Sequence, residues 1–255
     1  MPEKRIYRTT TDPTDWRALL AADQHWQRGR SAFELAMSWE LAARSVRGLP
    51  DEIAALLDAH PATANAALLL AIPEYRVQLK ARGRGSQNDL WAVLTSDTGL
   101  VSMMVEGKAE ETFGPAVGQW LRESRTNRSD DDETPTGREV RLKYLQEILE
   151  LAAVPESLRY QLLHRTASAL IQAKRVRASA AVMIVQAFGP NDRGWDDFAA
   201  FGDVLGVRVV RGSLSALSTA SGMPLLFGWV DSGFAAGPEA AVGDCPLDDS
   251  HPRGR

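Results

Sequence analysis

Two carboxylates and an ammonium at a fixed spacing carry the clearest chemistry in this sequence: Asp89 and, after sixteen intervening residues, Glu106-Gly107-Lys108. Leu90 to Thr95 and Leu100 to Lys108 read as strands joined by Ser96-Asp97-Thr98-Gly99, the pattern of a β-hairpin. With Asp97 and Thr98 as the loop, paired positions sum to 195 and Asp89 faces Glu106; with Thr98 and Gly99 the sum is 197 and Asp89 faces Lys108. Opposed residues share a face, as do residues two apart on one strand, so both registers gather the three groups on one side. A slip of one residue would scatter them.

The other side of the hairpin presents Leu90, Ala92, Leu94, Val101, Met103 and Val105, an apolar surface fit for a core. Paired carboxylates suit a hard divalent cation, Mg²⁺ or Mn²⁺: Mg²⁺ takes one or two of them, keeps several waters and binds substrate phosphate. Lys108 could orient or help deprotonate an attacking water, or steady the charge on a phosphorane-like transition state. The plain alternative is a solvated, salt-bridging acid and lysine face.

Other elements must hold that hairpin. Ser31 and Glu34 have the spacing of a capping box for a helix over Ala32–Arg47, stopped by Gly48 and Pro50. Short helices are expected over Asp51–Ala59 and Ala64–Ala71. From Glu74 the period becomes two, Tyr75, Val77 and Leu79 alternating with Arg76, Gln78 and Lys80. Helices are expected over Val140–Ala152, Leu158–Lys174 and Trp195–Leu205, a buried strand over Ala180–Phe188, and short strands over Val207–Val210 and Leu225–Val230. Residues 125–138 have no apolar side chain and read as a mobile acidic loop; residues 236–255, rich in Gly, Pro and Asp, read as a disordered tail after a single domain over 1–235.

Asn88-Asp89 followed by Glu106-Gly107-Lys108 resembles the PD-(D/E)xK motif of restriction-endonuclease-like nucleases, with Asn88 in the place of proline. That superfamily has an α-β-β-β-α-β core, an α/β fold with a mixed central sheet flanked by helices, which is the element order read from Ala32 to Phe188. The resemblance implies that Asp89 and Glu106 are ligands of Mg²⁺ or Mn²⁺, that the Gly107 carbonyl can supply a third oxygen, and that Lys108 is catalytic. It implies a metal-dependent nuclease, acting on DNA. The stretches SQNDLWAVL, VEGKAEETFGP and RYQLLHRTASALI are also similar to an uncharacterised bacterial family of unknown function, over roughly residues 25 to 210; that likeness brings no activity.

Members of the nuclease superfamily often add an acid from the first core helix. Glu40, at the border of an apolar helical face, is one candidate, with an i+4 pair to Arg44 as its alternative; Glu74 is the rival. On the helix from Leu158, Gln161, His164, Arg165, Ser168, Gln172 and Arg175 form a polar stripe from which Gln161 and Arg165 could reach metal-bound water and phosphate, or which simply faces solvent. Lys80, Arg82 and Arg84, on a Gly-rich loop leading into Asp89, could hold a nucleic-acid backbone or serve solubility. Trp16, Trp26, Trp39 and Trp120 read as core or interface aromatics.

The whole chain sets bounds. Its 255 residues, with 44% hydrophobic content and a net charge of −4, suit a domain with a sizeable core and exclude a globally basic surface. The longest apolar run, Ala66 to Ile72, is far short of a membrane span, and the charged Met1-Pro2-Glu3-Lys4-Arg5-Ile6 is unlike a secretion signal, so a cytoplasmic location without a membrane partner is expected. Cys245 is the single cysteine, and His25, His60, His164 and His251 are widely spaced, which disfavours disulfides and zinc. There is no GxSxG elbow or GxxxxGK[ST] loop. The non-enzymatic alternative is a nuclease-like scaffold that binds nucleic acid or a partner protein in a bacterial defence or repair assembly; a homodimer is a further expectation if both strands of a duplex are cut.

Overall fold

The computed structural model describes residues 10, 12–20, 26–80, 84–125 and 134–235. At its centre β2 (Ser86–Ser96) and β3 (Gly99–Lys108) pair antiparallel, Ser96 opposite Gly99 and Leu90 opposite Val105. The pairs sum to 195, so Asp97-Thr98 is the loop. Gly99 completes the turn at φ 126°, a conformation open to glycine and strained for other residues.

Around the hairpin lies a six-stranded mixed sheet of order β1-β2-β3-β4-β6-β5. β1 (Ala67–Val77) is antiparallel to β2; β4 (Ala180–Phe188) is parallel to β3 and β6 (Pro224–Ser232) to β4; β5 (Leu214–Ser218) closes the far edge antiparallel to β6. On one face, Leu90, Ala92, Leu94, Val101, Met103 and Val105 pack against α1 (Ser31–Ala42), α2 (Asp51–Asp58) and Trp16 of a 3₁₀ helix (Pro13–Leu19). On the other, Trp91, Val93 and Met104 meet Leu162, Ala169 and Leu170 of α5 (Tyr160–Val176), with α3 (Val117–Arg122), α4 (Gly137–Leu149) and α6 (Asp192–Val204) in the same core. The expected α/β architecture of a mixed sheet flanked by helices is present, and α1, β1 to β3, α5 and β4 follow the expected order. Because both faces are covered, β3 is buried from Val101 to Lys108, and its carboxylate lies beneath a helix.

Several expectations need correction. No helix forms over 64–71: Ala67 to Ile72 is the first half of β1, because a short apolar run fits a buried strand as well as a helix. Pro73 sits within β1, tolerated because β1 is an edge strand. Helix α1 stops at Ala42, five residues early, and its capping box does not form. Instead the Ser31 hydroxyl donates to Glu111, while Glu34 accepts from the backbone N–H groups of Gly29 and Ala235. A capping box forms elsewhere, between Thr136 and Glu139, so α4 starts inside the stretch read as loop. Residues 207–210 are not a strand, and α3 and β5 were not foreseen. The rest of the acidic loop (126–133), Arg82 and the tail (236–255) lie outside the described residues. Among the described residues no helix is long and apolar enough to cross a membrane.

Candidate active site

Register alone lines up three acids. The β1–β2 ladder pairs Pro73 with Leu90 and Tyr75 with Asn88, which sets Glu74 opposite Asp89; the β2–β3 register sets Asp89 opposite Glu106. At this end the apolar face gives way to charge, and α5 crosses it with Gln161 and Arg165, one helical turn apart. Gln161 Nε2 donates to Glu106 Oε1 at 2.5 Å, Lys108 Nζ to the same oxygen at 2.6 Å, and Arg165 Nε to Oε2. The Arg165 guanidinium also reaches Asp89 Oδ1 at 3.3 Å, while the Gly107 N–H donates to Asp89 Oδ2 at 2.9 Å. Gly107, whose carbonyl is the expected third oxygen, lies in β3 with its N–H on Asp89.

Glu106 is 1% exposed, Lys108 5% and Arg165 7%. Buried charges must be paired, and here two carboxyl groups meet two cations. Burial acts to raise the Glu106 pKa, but the charges and hydrogen bonds of Arg165 and Lys108 prevail and hold it below the usual carboxylate range. Asp89 moves the other way. Burial, reinforced by the charges of Glu106 and Glu74 and opposed by Arg165 and Lys108, pushes it up to about 8, although 23% of its side-chain surface is still exposed. Burial acts against the Arg165 guanidinium, but the charges of Glu106 and Asp89 prevail and raise its pKa.

The supporting residues divide clearly. Glu74 adjoins the cluster, its carboxylate accepting from Gln87 Nε2 at 2.5 Å, and its φ of 52° is strained for a non-glycine residue. Glu40 does not adjoin it. It accepts from Thr10 Oγ1 at 2.8 Å and Trp16 Nε1 at 2.9 Å on the α1 side of the sheet, where it anchors the 3₁₀ helix. Lys80 lies over the Tyr144 ring, 5.3 Å from its centroid, and exposed Arg84 accepts through its carbonyl from Arg141. The four tryptophans pack as expected: Trp16 and Trp39 are buried, Trp120 stacks on Tyr160 at 3.7 Å, and Trp26 packs edge-on to Phe33.

Two functional contacts escaped the sequence. Glu111 accepts from the backbone N–H groups of Ala109 and Ser31, fastening the end of β3 to the start of α1 and so fixing Lys108. His164 Nδ1 lies 2.7 Å from Ser86 Oγ, a pairing across 78 residues. Burial and the nearby cations Arg165, Arg141 and Lys108 hold that imidazole well below its ordinary pKa, hence neutral. The polar stripe of α5 was the available signal for His164; nothing marked Glu111. Beside the cluster opens a cavity of about 470 Å³, lined among others by Lys108, Arg141, Gln161, His164 and Arg165.

Among the described residues no group of three or more His, Cys, Asp and Glu is placed to hold a metal. Ligation would therefore rest on Asp89 and Glu106, with the Gly107 carbonyl and water. These are oxygen donors of the kind a hard divalent cation takes. Asp89 Oδ1 and Glu106 Oε2 both face the Arg165 guanidinium.

Fold and cluster together define a mixed α/β protein with a buried carboxylate–guanidinium–ammonium site at the end of its central hairpin. The chain belongs to DUF6946, a domain of unknown function, whose family model matches residues 9–233. No curated protein and no solved structure gives a significant match.

Proposed function

We propose that this protein is a divalent-metal-dependent phosphodiesterase acting on nucleic acid, DNA in the first place. The observation that carries the reading is the cluster of Asp89, Glu106, Lys108 and Arg165 beside a cavity that Lys108, Arg141 and Arg165 line. Mg²⁺ or Mn²⁺ held by Asp89 and Glu106 would supply charge neutralisation at the scissile phosphate and a more acidic water. Lys108 would hold that water's oxygen or the developing negative charge. Gln161 keeps the Glu106 carboxylate oriented, and Arg141 and Arg165 offer their guanidinium groups to a phosphate in the cavity. Glu74 is a further acid for this site; Glu40 is too far away in the fold. The test is cleavage of DNA and RNA with Mg²⁺ or Mn²⁺ and with chelator. Asp89→Ala and Lys108→Ala are each expected to abolish metal-dependent cleavage while the far-UV circular dichroism is unchanged, and wild-type turnover by either would refute the site.

One observation favours a second reading, a catalytically silent scaffold for nucleic acid or a partner protein. Arg165 and Lys108 already neutralise both carboxylates, as in a purely structural ion network. Calorimetric titration separates the two, because a scaffold shows no Mg²⁺ or Mn²⁺ binding that depends on Asp89 and Glu106.

A further inference from the structure

All four carboxylate oxygens of the Asp89–Glu106 pair already have donors: Lys108 and Gln161 on Glu106 Oε1, Arg165 on Glu106 Oε2 and Asp89 Oδ1, and the Gly107 N–H on Asp89 Oδ2. With both acids ionised, two anions and two cations leave the cluster with no net charge. A divalent cation entering it would bring two uncompensated positive charges into a buried site and would compete with a guanidinium that bridges both ligands. Such a cation needs two things at once: somewhere for Arg165 to go, and an anion to balance the charge. The adjoining cavity of about 470 Å³ supplies the first, since Arg165 lines it together with Lys108, Gln161 and Arg141. A phosphodiester entering that cavity supplies the second, and guanidinium pairs with phosphate as readily as with carboxylate.

Resting on the phosphodiesterase reading, we propose that Arg165 is an exchange group: it occupies the cation position in the resting protein and transfers to a substrate phosphate on binding, so that metal and phosphodiester enter the site cooperatively. Arg165 thus acts as a positioning residue toward the metal ligands and as a binding residue toward the substrate. The resting site is shut to metal alone, which protects two acids from adventitious cations. Reciprocity follows from linkage: the factor by which the phosphodiester tightens metal binding is the factor by which the metal tightens phosphodiester binding.

Mn²⁺ is titrated calorimetrically into the full chain with and without a phosphorothioate-linked dinucleotide, a slowly hydrolysed phosphodiester. The wild type is expected to bind Mn²⁺ at least about tenfold more tightly with the dinucleotide present, within the usual range of coupling. Arg165→Gln is expected to bind Mn²⁺ without the dinucleotide more tightly than the wild type does, and to show little coupling. Arg165→Lys, which keeps the charge and loses the bridge, should fall between them. Equal Mn²⁺ affinity of the wild type with and without dinucleotide overturns the exchange while leaving the phosphodiesterase reading intact, and this comparison needs no variant to fold. Cooperative binding without any cleavage would support the exchange and overturn the hydrolytic reading. Absence of Mn²⁺ binding under every condition would overturn both.

Discussion

Glu106 has two tasks, and the second does not depend on catalysis. Its carboxylate balances Lys108 and Arg165 beneath α5, so Glu106→Gln keeps the shape and leaves two buried cations with one acid between them. Breaking a buried pair from one side costs about 3–5 kcal/mol; urea unfolding should show a loss of that order, and an unchanged midpoint would mean that water reaches the cluster freely. His164 allows a test against pH. Its folded pKa lies well below the unfolded value of about 6.5, so the neutral form is favoured by folding. The stability it confers is complete above about pH 6.5 and is lost as pH falls toward the folded pKa. Between about pH 7.5 and about pH 5.5 the raised pKa of Asp89 acts the other way in both proteins, so the expected outcome is the difference: the melting temperature of the wild type drops relative to that of His164→Gln as pH falls; parallel curves would rule out this source. At this scale the legible part was what register fixes, Asp89, Glu106 and Lys108. The contacts of His164 with Ser86, Glu111 with Ser31, and Arg165 with both acids join residues 59 to 80 positions apart, and the sequence pattern has no term for such distances.

Strands were easier to read than their ends. β2, β3 and β4 were legible because alternation and a two-residue loop leave few choices, and Ala180–Phe188 came out with the observed limits. β1 was half hidden because its first residues are continuously apolar. The capping signal at Ser31 failed because both side chains found partners far away in sequence, Glu111 and the backbone of Ala235. The mouth of the site depends on how closely β1 and the start of β2 approach. A Cβ added to Gly85 would stand 2.5 Å from the Val77 carbonyl oxygen, a backbone atom that cannot swing aside. Gly85→Ala should therefore part the strands beside Ser86 and destabilise by about 1–3 kcal/mol, with faster amide exchange in β1 as the readout. At Gly107 the same addition meets the Ser31 carbonyl oxygen at 3.4 Å and Leu35 Cβ at 3.5 Å, the near edge of ordinary contact, so Gly107→Ala is expected to destabilise far less than Gly85→Ala, which makes it the matched control.

For the whole molecule, the net charge of −4 describes no single surface. Among the described residues the cations that line the cavity are Lys108, Arg141 and Arg165, while Lys80 lies over the Tyr144 ring. Capture of a single-stranded oligonucleotide would then neutralise two or three phosphates, which at about 0.7 per contact gives a log–log salt slope near −2. Affinity should fall about tenfold to twentyfold between roughly 50 and 200 mM salt, and Arg141→Ala should flatten the slope by about 0.7. Fluorescence anisotropy with a labelled oligonucleotide measures both. A slope steeper than about −5 would require a long basic track, which the composition of this chain does not supply, and would move recognition away from the cavity. A slope near −2 that flattens in Arg141→Ala would place the grip on the strand in the same few residues that border Asp89 and Glu106, so that metal, phosphate and acids meet over one short stretch of backbone.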